Sequence, residues 1–223
     1  RRARPCRVGA FFRGAPPRAA QFCAGRVTQR HVEEAGRAIL EDGARVNGIA
    51  ACLTARERIA AMLDAGSFRE LGELVEPLRD TELTSTLDAP ADGVITGTGT
   101  VDGRPVCIIA DDFTVLGGSV GVVGGAKVEH LLTRAEKHGL PVIWLLEGAG
   151  HRIQDGLDSR HFASAGPAFW HLSRLSGWVP MAMAGLGPGY AGPTNMAPFA
   201  DLRVIRRGPT PTGLGAPRLV PPP

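Results

Sequence analysis

Apolar positions recur along the chain in two rhythms. In Leu53-Thr-Ala-Arg-Glu-Arg-Ile-Ala-Ala-Met-Leu63, residues Ile59, Met62 and Leu63 fall at i, i+3 and i+4, the spacing of one helix face. Thr54 and Glu57 form a capping box ahead of it, each side chain able to satisfy a free N–H of the first turn, and Gly66 supplies a stop. A second helix is predicted over 125–138, where Val128, Leu131, Leu132 and Ala135 share a face, Lys127, Glu129, Arg134 and Lys137 face water, and Gly139 ends the run. Weaker helical patterns cover 31–46 and about 162–176. The other rhythm is short and strand-like. Val94–Val101 and Arg104–Ala110 flank Asp102-Gly103, whose tolerance of positive φ suits a two-residue hairpin turn. Further strands are predicted at 141–146, 179–185 and 201–206, while 73–90 reads as irregular, marked by Pro77 and Pro90.

A hairpin followed by strand–helix units repeating about every 35–40 residues points to an α/β fold with parallel strands. Three segments follow: a basic leader at 1–50 with one weak helix and an unstructured start, a folded domain at 51–207, and a Pro/Gly-rich tail at 208–223.

Two of the strands run into glycine turns. Pro141-Val-Ile-Trp-Leu-Leu-Glu147 enters Gly148-Ala-Gly-His-Arg-Ile-Gln-Asp-Gly156, and Val179–Leu186 enters Gly187-Pro-Gly-Tyr-Ala-Gly192. Such turns let a ligand approach the backbone, so that N–H groups on neighbouring strands frame one oxyanion. The chain has 30 glycines, and glycine after a strand is also ordinary punctuation, so spacing alone leaves ligand binding and loop geometry equally open. Neither turn has the spacing of the dinucleotide fingerprint, and the Gly-Lys-Ser/Thr phosphate loop is absent.

Composition narrows the field. A chain of 223 residues can bury a substantial core, and no apolar run approaches the ~20 residues of a membrane span. The formal charge is +3, but eight arginines precede the first acid, Glu33. That start reads as an untidy terminus of a cytoplasmic protein or as a transit peptide to the mitochondrial matrix. Four scattered cysteines, Cys6, Cys23, Cys52 and Cys107, offer neither a zinc ribbon nor a disulfide framework. One tyrosine and few other aromatics give no stacking platform for nucleic acid.

Five ordered blocks, Leu53–Phe68, Gly93–Val106, Asp112–Ser119, Arg152–Gly156 and Ala200-Asp201, resemble the carboxyltransferase (beta) subunits of biotin-dependent acyl-CoA carboxylases, in their N-terminal half. The resemblance covers about two-thirds of the chain. It implies a crotonase-like (ClpP/crotonase) superhelix of ββα units and transfer of a carboxyl group from carboxybiotin to the α-carbon of a short acyl-CoA, acetyl- or propionyl-CoA. The CoA thioester is then the substrate, biotin arrives on a carrier protein, and no metal is needed. An enolate held by backbone amides suits a chain with no evident catalytic dyad. By position, the resemblance makes Ala149 and Gly150 the oxyanion amides and Gly117, Gly118, Gly189, Ala191 and Gly192 substrate-binding, with Tyr190 and Ala191 narrowing the pocket. Arg56 and Arg58 read as solvated helix charges or as CoA phosphate contacts, His151 as a structural or ligand-touching histidine, and Asp155 and Asp158 as turn and cap residues.

In this family a second domain of similar fold normally supplies the biotin side, so the implied partners are a second carboxyltransferase half or a homo-oligomer, together with the carrier protein and biotin carboxylase. Three functions follow: an acyl-CoA-binding half-enzyme, a truncated non-catalytic remnant, or a CoA-binding assembly subunit. A decarboxylase shares the same motifs. A hydratase would need a carboxylate pair where only Glu147 stands.

Overall fold

The computed structural model describes residues 53–163, 167–205 and 212–215. The arginine-rich start, the helix expected at 31–46, Cys6, Cys23, Cys52 and most of the 208–223 tail lie outside the described residues.

The capping box forms as the sequence dictates: the Thr54 amide donates to Glu57 Oε2 at 2.7 Å, and the Glu57 amide to Thr54 Oγ1 at 3.4 Å. It opens α1 (Ala55–Met62), which turns Ala55 and Ile59 into the protein. A short strand β1 (Arg69–Leu71) follows. A 3-10 turn at Pro90–Gly93 then leads into the hairpin of β2 (Val94–Val101) and β3 (Arg104–Asp111), with Asp102 and Gly103 at φ 49° and 74°. A second 3-10 turn (Leu116–Gly118) and β4 (Ser119–Val120) precede α2 (Val122–His138). Gly139 closes α2 in the left-handed conformation.

Beyond it come β5 (Val142–Gly148), β6 (Gly150–His151), short helices α3 (Ile153–Gly156) and α4 (Ser159–Ala163), and α5 (Pro167–Leu175). The described chain ends with β7 (Met181–Tyr190), α6 (Gly192–Met196), β8 (Leu202–Ile205) and β9 (Thr212–Gly213).

The main sheet has the order β1-β2-β3-β5-β7-β8, with β9 joined to the far end of β7. Pairing is antiparallel from β1 to β3 and parallel from β3 to β8. Because strand side chains alternate, β5 sends Val142, Trp144 and Leu146 to a layer with Leu131, Leu132, Leu172 and Leu175. It sends Ile143 and Leu145 to the opposite layer, with Ile59, Ile95 and Ile108. Both faces of the parallel region are therefore covered, which explains its continuous apolar runs. Each fully buried Leu or Ile contributes roughly 1.5–3 kcal/mol.

Two expectations change. β7 runs on to Tyr190, through residues expected to form the second turn, because Gly189 and Tyr190 pair with Thr212 and Gly213. Lys127 is buried rather than facing water: its Nζ donates to the carbonyls of Ala91 (3.0 Å) and Val94 (2.7 Å).

Candidate active site

Three backbone turns meet beyond the C-terminal ends of β3, β5 and β7. The register of β5 on β7 sets Gly148 opposite Gly189, after an irregularity that follows Leu146. Gly117 and Gly118 take φ of 68° and 69°, which favours glycine. Gly118 and Gly148 are pressed together so closely that a Cβ on Gly118 would collide with the Glu147 carbonyl, and one on Gly148 with the Gly118 carbonyl. The Ala149 amide donates to the Gly117 carbonyl at 3.2 Å. Gly150, at φ 85°, pairs with Ser119, and a Cβ there would lie 2.9 Å from the Gly192 amide and 3.0 Å from Ala191 Cβ. Thr194 fastens the third turn, its hydroxyl 2.9 Å from the Gly189 carbonyl and 3.1 Å from that of Gly213.

Six of the seven residues expected at a site thus fall on adjoining turns, and the seventh, Gly189, lies at the end of β7 beside Gly148. Of these, Gly118, Gly150, Ala191 and Gly192 line a cavity of about 230 Å³ between α2, α5 and α6. Gly117, Ala149 and Gly189 do not line it. The rest of the lining is mostly apolar, including Val120, Val128, Trp144, Phe169, Pro193 and Met196. His151 also faces the cavity, and burial holds its pKa below the ordinary histidine value, so the ring is neutral at neutral pH.

Behind the turns lie charged groups. Arg58 is mostly buried and ion-paired to the Glu147 carboxylate, so it is not the solvated helix charge expected. That carboxylate fills the space where Gly187 lacks a side chain. Arg56 instead donates from Nε and Nη2 to the two carboxylate oxygens of Glu70, at 2.9 and 2.8 Å. Arg152, 1% exposed, pairs with buried Asp92 and donates to the Ser119 carbonyl at 3.1 Å. Asp92 also accepts the Gly124 amide at 2.7 Å, capping the start of α2 from a distance. Asp155, expected as a turn or cap residue, is buried 3.5 Å from Arg152, and desolvation raises its pKa. Asp158 behaves as a turn residue, accepting the Arg160 amide at 2.8 Å.

Asp111 was not singled out by sequence. It is buried on the cavity wall, accepting from Trp144 Nε1 and the Glu147 amide, both at 3.2 Å. Desolvation lifts its pKa to about 7, against those two hydrogen bonds. Cys107 lies in the core with its thiol pushed up to about 12 by burial, which removes it as a nucleophile. Among the described residues no three His, Cys, Asp or Glu groups are placed to hold a metal ion, and no helix is long and apolar enough to cross a membrane.

Comparison with known proteins agrees with this architecture. The carboxyl transferase domain family matches residues 50–221. Over 153 residues the chain is 39% identical to the propionyl-CoA carboxylase beta chain of Saccharopolyspora erythraea, covering 68% of this chain and 28% of that protein. The chain spans less than a third of the length of the curated relatives it matches. Among solved structures, transcarboxylase 12S with methylmalonyl-coenzyme A and methylmalonic acid bound superposes with a TM-score of 0.66 at 32% identity, covering 84% of this chain and 35% of the other. A Pseudomonas malonate decarboxylase hetero-tetramer in complex with malonate superposes at 0.65 and 27% identity, covering 75% and 63%. The fold is crotonase-like, and the chain belongs to the carboxyl transferase domain family.

Proposed function

We propose that this chain forms the acyl-CoA side of a carboxyltransferase site, at which the α-carbon of an acyl-CoA receives a carboxyl group. The observation that carries this reading is the convergence of the 117–118, 148–150 and 189–192 segments, which together place Gly118, Gly150, Ala191 and Gly192 on the wall of one largely apolar cavity. The close approach of Gly118, Gly148 and Gly150 leaves backbone rather than side chains to meet a ligand, and such a cradle fits a thioester.

Acidity at the thioester α-carbon depends on holding the negative charge that develops on the carbonyl oxygen, and amides in a partly dry site do this well. We assign that task to the Ala149 and Gly150 amides, with the Gly117–Gly118 and Gly189–Gly192 turns shaping the approach. The Ala149 amide is held by the Gly117 carbonyl at 3.2 Å, so a thioester oxygen must displace that carbonyl to be bound there. Carboxybiotin on a carrier protein would supply the carboxyl group, and cleavage of its N–carboxyl bond would free the urea nitrogen as acceptor for the α-proton, while the amides of this chain hold the thioester oxygen. The biotin side of the site comes from outside the described residues, from a further domain, another subunit or a second copy.

Calorimetric titration of the purified chain with acyl-CoA, and with free CoA as control, tests the reading. Saturable binding at least tenfold tighter for the acyl-CoA supports it; equal affinity for both ligands, or none for either, removes it. A second reading, decarboxylation, draws on the superposition with the malonate decarboxylase structure at a TM-score of 0.65. It uses the same amide cradle and predicts carbon dioxide release from a malonyl thioester without biotin.

A further inference from the structure

The cavity beside the turns is larger than a two- or three-carbon acyl group needs. An apolar pocket of about 150 Å³ holds a benzene ring, and a water-sized group takes roughly 30 Å³. At ≈ 230 Å³, this cavity is about half as large again as that benzene-sized pocket. Its inner wall is Val120, Val128, Trp144, Phe169 and Met196, which offer a bound chain apolar contact. Of the two carboxylates bordering it, Asp111 is hydrogen-bonded and Glu129 is 44% exposed to solvent. Asp111 accepts from Trp144 and the Glu147 amide, and Glu129 stands 3.7 Å from His171.

Glycines at the start of α2 border this space. Gly121 and Gly125 line the cavity, and a Cβ built on Gly125 meets no atom within 4 Å. Gly121 serves a separate need: a Cβ there would collide with the Arg152–Asp92 pair. No close packing at Gly125 requires a glycine. Glycine inside a helix is unfavourable by about 1 kcal/mol relative to alanine, so its presence there leaves room at a measurable expense.

We infer that the site takes a medium-length acyl chain of about six to eight carbons, or a branched or cyclic group of similar volume, with the thioester at the Gly150 turn and the tail between α2, α5 and α6. This rests on the acyl-CoA reading above and revises the acetyl- or propionyl-CoA expected from the sequence. A short chain would leave most of the apolar wall without a partner.

The test is calorimetry on the full chain with free CoA and with propionyl-, hexanoyl-, octanoyl- and dodecanoyl-CoA, for the parent and for Gly125→Leu. Burying a methylene is worth about 0.8 kcal/mol, or about fourfold in Kd. Hexanoyl-CoA should therefore bind at least about tenfold tighter than propionyl-CoA, with the gain levelling off by dodecanoyl-CoA. Gly125→Leu should erase the hexanoyl advantage over propionyl-CoA; a thermal unfolding scan confirms that the variant is folded. Equal affinity for propionyl- and hexanoyl-CoA, both tighter than CoA, overturns the inference and leaves the acyl-CoA reading standing. A hexanoyl advantage that survives Gly125→Leu also overturns it, because the tail then lies elsewhere. No acyl-CoA binding tighter than CoA removes the reading itself.

Discussion

Asp111 shows how far a single residue can depart from its sequence appearance. In the run Asp111-Asp112 it has the look of a solvated acid at a strand end, yet it is 3% exposed and its pKa is raised to about 7. The folded pKa stands above the unfolded value of 3.8, so the protonated acid is favoured by folding. Its contribution is therefore fully present below about pH 4 and is lost as pH rises towards 7, with a limiting slope of about 1.4 kcal/mol per pH unit. Urea unfolding of the parent and Asp111→Ala between pH 4 and 8.5 should show the parent's relative stability falling until about pH 7 and then holding level. A difference independent of pH would show that Asp111 does not titrate as its burial demands. Periodicity is silent on such residues, because burial here is set by strand neighbours far away in the chain. Arg58 was misread for the same reason: its partner, Glu147, lies 89 positions away.

At the scale of elements, local chemistry was legible and long-range ties were not. The capping box of α1, the Asp102-Gly103 hairpin and the Gly139 stop of α2 rest on neighbouring residues, and each formed where the sequence put it. The strands β1, β4 and β6 are three residues or shorter, too brief for any period to register. What fixes β4 and β6 is the Arg152–Asp92 pair, which also reaches the Ser119 carbonyl and, through Asp92, the start of α2. Removing one partner of a buried ion pair leaves the other charge stranded, at about 3–5 kcal/mol. Arg152→Met should lower stability by that amount in denaturant titration. A loss below about 1 kcal/mol would mean that Arg152 is not holding these elements together.

Across the whole molecule, the order of strands and helices was readable because the sheet is built from successive units. The meeting of the turns was expected only in part: β5 and β7 are neighbours, as their parallel arrangement suggests, but the Gly117–Gly118 turn joins them through β3 and β4. Gly148 is where these contributions lock, with no room for a side chain against Gly118. Gly148→Ala should cost about 1–3 kcal/mol, as overpacking does, and weaken acyl-CoA binding. Gly185→Ala, whose Cβ would sit 3.8 Å from Ile205, is the control and should stay within about 0.5 kcal/mol of the parent. Differential scanning calorimetry of the two variants checks both expectations, and equal melting temperatures would show that the junction is not tight.

A cradle made of amides also changes how this protein must be interrogated. Cutting side chains back to alanine removes nothing from Gly117, Gly118, Ala149 or Gly150, so a conventional scan would pass over the centre of the site and score only the packing around it. The informative experiment adds atoms instead of deleting them. Substitutions that enlarge these positions should reveal a contiguous patch of intolerance on two turns separated in the chain, and naturally occurring variants that place bulk there would be the ones to suspect of lost function.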